Sequence, residues 1–250
     1  MRFKMYKVYG SAEYGIGKPV EAFKFKKSGS KVTASAGDIE KPIETRWIKS
    51  CAEAYNISDD ISDYIIVPVP IVTVGIPNRN LQAFPLDAVT AWSNDEGRIA
   101  YQTFIGKPLH LDHKNDNPKE AKGVILDSVM RYVPKYDLWK IIILTAWCRT
   151  KDKDVANHIL KDPKSEYSMG SYVKKFIEFP SGKVVKPDSP RGFIDKNGNL
   201  VYHNMGTSNP NETPKFFETS LVLGKNGAAD FTAANKQSDI LIRPGEHLGY

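Results

Sequence analysis

Residues 63–74 read Asp-Tyr-Ile-Ile-Val-Pro-Val-Pro-Ile-Val-Thr-Val, a run of β-branched and aromatic positions that predicts a strand. Pro68 and Pro70 withhold two ladder donors and confine that strand to a sheet edge or a break. Lys122–Val133 and Leu138–Cys148 predict two consecutive strands, and the turn chemistry of Pro134–Asp137 joins them as a hairpin. Tyr172–Phe179 and Lys215–Leu223 predict two more. Within Asp195–Asn199, Asn197-Gly198 predicts a second hairpin turn, because glycine readily supplies positive φ.

Helical spacing is rarer. Ile43–Tyr55 suits a short helix or an edge element, and Asp152–Leu160 places Val155, Ile159 and Leu160 at helical intervals before Asp162-Pro163 ends the element. Phe84–Trp92 predicts a third helix, with proline in its first turn and Leu86, Val89 and Trp92 on one side. Many strands with two or three helices between them predict an α+β fold: a mainly antiparallel sheet or partly closed β-barrel with flanking helices. The predicted organisation is an N-terminal extension of unknown role over residues 1–60, a main domain over 61–230 and a flexible tail over 231–250.

At 250 residues and 41% hydrophobic, the chain can bury a core without metal or disulfide support. Two cysteines, Cys51 and Cys148, argue against a disulfide-stapled scaffold. The basic start leads into Gly, Ser and Glu and does not predict a secretory signal, and the apolar runs are too short to predict a membrane span. A net charge of +6 would attract nucleic acid or acidic proteins alike. Because the lysines are scattered, a solvated surface is expected and no specific nucleic-acid interface.

Candidate chemistry gathers at three places. His110 and His113 lie in Gly106-Lys-Pro-Leu-His-Leu-Asp-His113, Ser168 in Glu166-Tyr-Ser-Met-Gly-Ser171, and Glu218 inside the apolar run Phe216–Val222. An imidazole beside a hydroxyl can take its proton and make the alcohol nucleophilic, while a buried acid can hold the imidazole tautomer. Met169 and Gly170 offer backbone N–H groups as candidates for an oxyanion hole. Bland alternatives stand beside each: Ser-Met-Gly-Ser as a tight turn entering a strand, and Glu218 on a half-exposed strand facing water. In a strand, positions 110 and 113 would point to opposite faces. His203 is the rival third member. Asp112 and Asp116 beside the two histidines also suggest a zinc or manganese site, although no second His/Asp cluster accompanies them.

The chain resembles the prohead proteases of tailed bacteriophages, capsid-maturation serine proteases related in fold to herpesvirus assemblins. Four segments carry the likeness: Val74–Pro85 with its Asn-Arg-Asn, Pro108–Asn115 followed by Gly123-Val-Ile, Tyr167-Ser-Met-Gly170, and Phe217-Glu-Thr-Ser-Leu-Val222. The resemblance implies a cofactor-free serine endopeptidase with Ser168 as nucleophile, His113 as general base and Glu218 as third member. Its substrates would be scaffold and major capsid proteins, and the chain itself, inside the assembling prohead in the host cytoplasm, with no membrane partner and self-association left open. Gly224–Asp230 departs from the family's Pro-Ala-rich segment, and residues 1–60 match nothing in it. Two other readings remain at this point: a structural virion protein that keeps a protease-like fold without catalysis, and a metal-dependent hydrolase around His110, Asp112 and His113.

Overall fold

The computed structural model describes residues 46–161 and 166–223, with strand backbone at 6–14, 24–28, 31–35 and 42–44. The predicted tail, the Gly224–Asp230 segment and Asp162-Pro163 lie outside the described residues. In chain order the elements are β1 (Tyr6–Tyr14), β2 (Lys24–Ser28), β3 (Lys31–Ser35), β4 (Pro42–Glu44), α1 (Arg46–Tyr55), β5 (Tyr64–Thr73), β6 (Gln82–Ala83), α2 (Leu86–Thr90), β7 (Trp92–Ser93) and β8 (Arg98–Ile99). They continue with β9 (Pro108–Leu111), β10 (Gly123–Val133), β11 (Leu138–Cys148), α3 (Lys153–Lys161), β12 (Glu166–Val173), β13 (Phe176–Phe179), β14 (Val184–Val185), β15 (Tyr202–Met205) and β16 (Lys215–Val222).

Seven strands form the main sheet in the order β1-β12-β16-β9-β10-β11-β5. Every neighbouring pair is antiparallel except β16 with β9, which run parallel. The sheet curls until β1 and β5 come into contact, giving the α+β, partly closed architecture expected from the sequence. A four-stranded sheet, β14-β13-β15-β6, stands beside it, and smaller sheets pair β2-β3-β4 and β7-β8.

The curl gives the sheet an inner and an outer face. Inside, Ile125, Ile143, Trp147, Tyr167, Met169 and Leu221 share one core with Phe216, whose ring stacks on Phe104 at 4.1 Å. Outside, α1 lays Ile48 and Cys51 on Val124, Leu126, Ala146 and Cys148, so the β10-β11 end is covered by a helix. The outer face of β9, β16 and β12 instead carries His110, Ser220, Glu218 and Ser168, buried but polar.

Pro68 and Pro70 do sit on an edge strand of this ladder, opposite Leu144 and Ile142, where their missing N–H groups cost no bond. The β10–β11 hairpin turns through Pro134–Tyr136 and Asp137 at φ 51°. Gly123 is required for close approach: a Cβ there would lie 2.0 Å from the Ala146 carbonyl oxygen.

Two local expectations are corrected. The helix at Phe84–Trp92 is only α2, with Pro85 as its cap; Ala88 and Val89 are buried, whereas Leu86 and Trp92 are exposed and Trp92 belongs to β7. The strand expected over Tyr172–Phe179 is split between β12 and β13. Ser168 is the third residue of β12, so Ser-Met-Gly-Ser is strand interior rather than a tight turn. Pairing on both sides, with β1 and β16, overrides the local turn preference.

Candidate active site

The histidine arrives by a strained turn. After β9, Asp112 and His113 both adopt left-handed backbone conformations, φ 48° and 58°, which Asp and His tolerate better than most residues but at a cost of about 1 kcal/mol each. The turn is pinned to β16: the Asp112 N–H donates to the Leu221 carbonyl at 2.9 Å, and Asp112 Oδ1 accepts from the Leu223 N–H at 2.9 Å. Strand alternation therefore stops at Leu111, and positions 110 and 113 are not forced to opposite faces. His113 swings back so that its Nδ1 meets Glu218 Oε1 at 3.3 Å.

Glu218 is fully buried, not half-exposed as its alternating sequence context allowed. Its second oxygen, Oε2, accepts from the Ser220 hydroxyl at 2.7 Å. Both carboxylate oxygens thus have partners, which is what makes burial of the charge tolerable. The His113 side chain is 32% exposed. With Nδ1 turned to the acid, Nε2 lies on the far side of the ring.

Strand register brings the serine to the same face. Directly opposed residues of neighbouring strands project together, with Cα atoms about 4.5–5.5 Å apart in an antiparallel pair. Ser168 is opposite Ser220, and Gly170 is opposite Glu218. In the parallel pairing, Ser220 is opposite His110. Ser168, Ser220 and His110 therefore form a row across three strands, with Glu218 two positions from Ser220 on its strand.

His110 is itself buried, and its Nδ1 has no hydrogen-bond partner among the described residues. Burial pushes this imidazole below its ordinary value, a shift opposed by the charge of Glu218 and aided by Lys122. His203, the rival third member, lies on β15 of the four-stranded sheet between Gln82 and Glu178, with its ring edge-on to Phe176. It is not brought to Glu218. Burial holds His203 below 6.5, with Arg191 adding to the shift and Glu178 and the Pro190 carbonyl opposing it.

Both buried imidazoles resist protonation in the fold but not in the unfolded chain. Their contribution to stability is full above the unfolded value of 6.5 and is lost as pH falls through and below it. Thermal melts at pH 7.5 and pH 5 should show a drop on acidification, and His203→Gln should shrink that drop; an equal drop in both proteins would remove His203 from the account.

The nominated oxyanion donors, Met169 and Gly170, lie in β12 with β1 on one side and β16 on the other. The metal grouping is not assembled: Asp112 is engaged by the Leu223 N–H, and among the described residues no three His, Cys, Asp or Glu side chains converge as a metal ion would need. Ser220 escaped the sequence reading. Its signal was its place two residues after Glu218 in a strand, the spacing that puts both on one face.

No protein-family model matches the chain, and no curated protein does. Among solved structures the chain is similar to the bacteriophage T4 capsid assembly protease, with 11% sequence identity and a TM-score of 0.39 over 88% of this chain and 99% of that one. At that score the likeness fixes neither a shared fold nor an activity.

Proposed function

We propose that the chain is a serine endopeptidase of the phage prohead, cleaving scaffold and major capsid proteins, and itself, during head maturation in the host. The observation that carries the reading is the contact of His113 Nδ1 with the buried Glu218 carboxylate, on the strand that pairs with the Ser168 strand. A buried acid on Nδ1 fixes the tautomer whose Nε2 is basic and stabilises the imidazolium formed when that nitrogen takes a proton. In this reading His113 removes the Ser168 hydroxyl proton as Oγ bonds to the scissile carbonyl carbon. The imidazolium then protonates the leaving amine as the C–N bond breaks, and water releases the acyl group by the same steps in reverse. The chemistry needs no cofactor. The four sequence segments that resemble prohead proteases supply the substrate class.

One observation favours the second reading, a structural head protein with an idle site: Ser168 is only 3% exposed. A fluorophosphonate distinguishes the two. The endopeptidase should gain one phosphonyl adduct, mapped by peptide mass spectrometry to Ser168, and should generate new N-termini in a denatured protein mixture. Neither adduct nor cleavage would leave the structural role standing.

A further inference from the structure

We propose that the outer face of the four-stranded sheet is a docking surface for a protein segment that is apolar in its middle and acidic at both ends. None of its residues belongs to the His113, Ser168 and Glu218 group, and the proposal does not depend on their chemistry.

Strand register assembles this surface. Between β13 and β15, Phe176 is opposite Met205 and Glu178 is opposite His203. Phe176, His203 and Met205 are buried, so this set faces the core. Side chains alternate along a strand, and the other set, Ile177 with Asn204 and Phe179 with Tyr202, therefore faces outward. Val184 of β14 is opposite Ile177 and extends the outward row on one side. On the other side the alternation continues before β15, with Val201 buried and Leu200 exposed, and Leu200 is bridged to Ile194 across the Asn197-Gly198 turn.

Six apolar side chains thus share one face: Val184, Ile177, Phe179, Tyr202, Leu200 and Ile194. The rings of Phe179 and Tyr202 stack in its middle, centroids 4.6 Å apart at 20°. Val184 is 65% exposed, Ile194 62%, Phe179 40% and Leu200 37%. One exposed apolar residue is ordinary, but a continuous row across a sheet marks an interaction surface. The row crosses three strand intervals, about 14 Å, which is the length of a helix of about ten residues.

Charge identifies the occupant. Lys183 and Lys186 flank β14 at one end of the row, and Lys196 stands in the turn beyond Ile194 at the other. All three are exposed, and among the described residues their ammonium groups have no partner. The carboxylates on the same segments are mostly engaged. Glu178 Oε1 accepts from the Ser181 hydroxyl at 2.6 Å, and Asp195 Oδ1 accepts from the Asn197 and Asn199 N–H groups at 2.8 and 2.9 Å. That leaves Asp188 against three lysines. With both ends basic, a second copy laid on the face in either direction would bring lysine against lysine. Four of the six side chains are aliphatic and the two rings already stack on each other, which suits leucine-like side chains better than nucleic-acid bases. A helix with an apolar stripe and acidic ends complements both the row and its borders.

The probe is a fluorescein-labelled helical peptide of about 14 residues with a leucine stripe and two glutamates at each end. It is titrated by anisotropy against the full-length chain carrying Ser168→Ala, so that no probe is cleaved. It should bind at least about tenfold more tightly than the same peptide with lysines at its ends or with serines for the leucines. Val184→Ser and Ile194→Ser together should weaken binding by at least about tenfold, and each alone by less. Lys183→Glu with Lys196→Glu should reverse the preference toward the lysine-ended peptide. These side chains lie at the surface, and melting curves identify any variant that does not fold, so the single variants can replace the pair. Equal binding of the three peptides, or folded variants that bind as their parent does, overturns the proposal. So does an oligothymidylate that binds more tightly than the glutamate peptide and is lost with the same variants, or a dimer in sedimentation velocity that they dissociate. Peptide cleavage plays no part in the readout, so failure here leaves the endopeptidase reading as it stands.

Discussion

Replacing Ser168 with alanine should lower kcat/KM for peptide cleavage by at least about a thousandfold while leaving the fold intact, since triad members act as a unit and the loss of one removes nearly the whole effect. The substitution removes one oxygen from a residue held in the middle of a three-strand ladder, β1-β12-β16, whose backbone bonds do not involve the side chain. Loss of a hydroxyl contact costs about 1 kcal/mol, which in a domain of this size moves the melting temperature by about 2–4 °C. A large drop in rate beside so small a drop in melting temperature separates chemistry from folding. Intact mass adds an independent readout: a self-processing wild type should lose chain termini during expression, and the alanine variant should stay full length. Undiminished cleavage by the variant would sink the assignment of Ser168.

The parts of this architecture with uniform local signals were legible in the chain. β5, the β10–β11 hairpin and β16 are β-branched or apolar runs bounded by turn residues, and they lie where the pattern placed them. The prolines of β5 even specified an edge. Legibility failed where long-range pairing overrode local preference. Ser168, Gly170 and Ser171 favour a turn by composition, yet two neighbouring strands hold them extended. The parallel contact of β16 with β9 joins segments more than a hundred residues apart, and no periodicity announces it.

The site shows the same division. His113, Ser168 and Glu218 could be nominated by residue type and by resemblance, but the left-handed turn at Asp112 and His113 could not. That turn decides which histidine reaches the acid. It also converts Asp112 from a metal-ligand candidate into an anchor, because the carboxylate is engaged by the end of β16.

Glu218→Gln is the substitution that tests the acid, with an expected loss of about a hundredfold to ten-thousandfold in kcat and little loss of stability. Glutamine keeps the shape of a fully buried side chain and removes a charge whose desolvation was costly, so the fold has small reason to object. The Ser220 hydroxyl can rotate to accept from the new amide NH2 where it now donates to Oε2. The amide oxygen would then still face His113 Nδ1, preserving the ring orientation while withdrawing the negative charge. In the opposite amide orientation, NH2 faces Nδ1 and selects the wrong tautomer. Either arrangement impairs proton uptake at Nε2, the first through lost stabilisation of the imidazolium and the second through geometry. Ser220→Ala separates the contributions, because it leaves the charge in place and removes only the bond that orients the carboxylate; its loss should be nearer tenfold. Kinetics of the two variants beside their melting curves therefore rank charge against orientation. A Glu218→Gln enzyme within tenfold of wild type would mean that the contact between His113 and Glu218 holds the turn together and takes no part in catalysis.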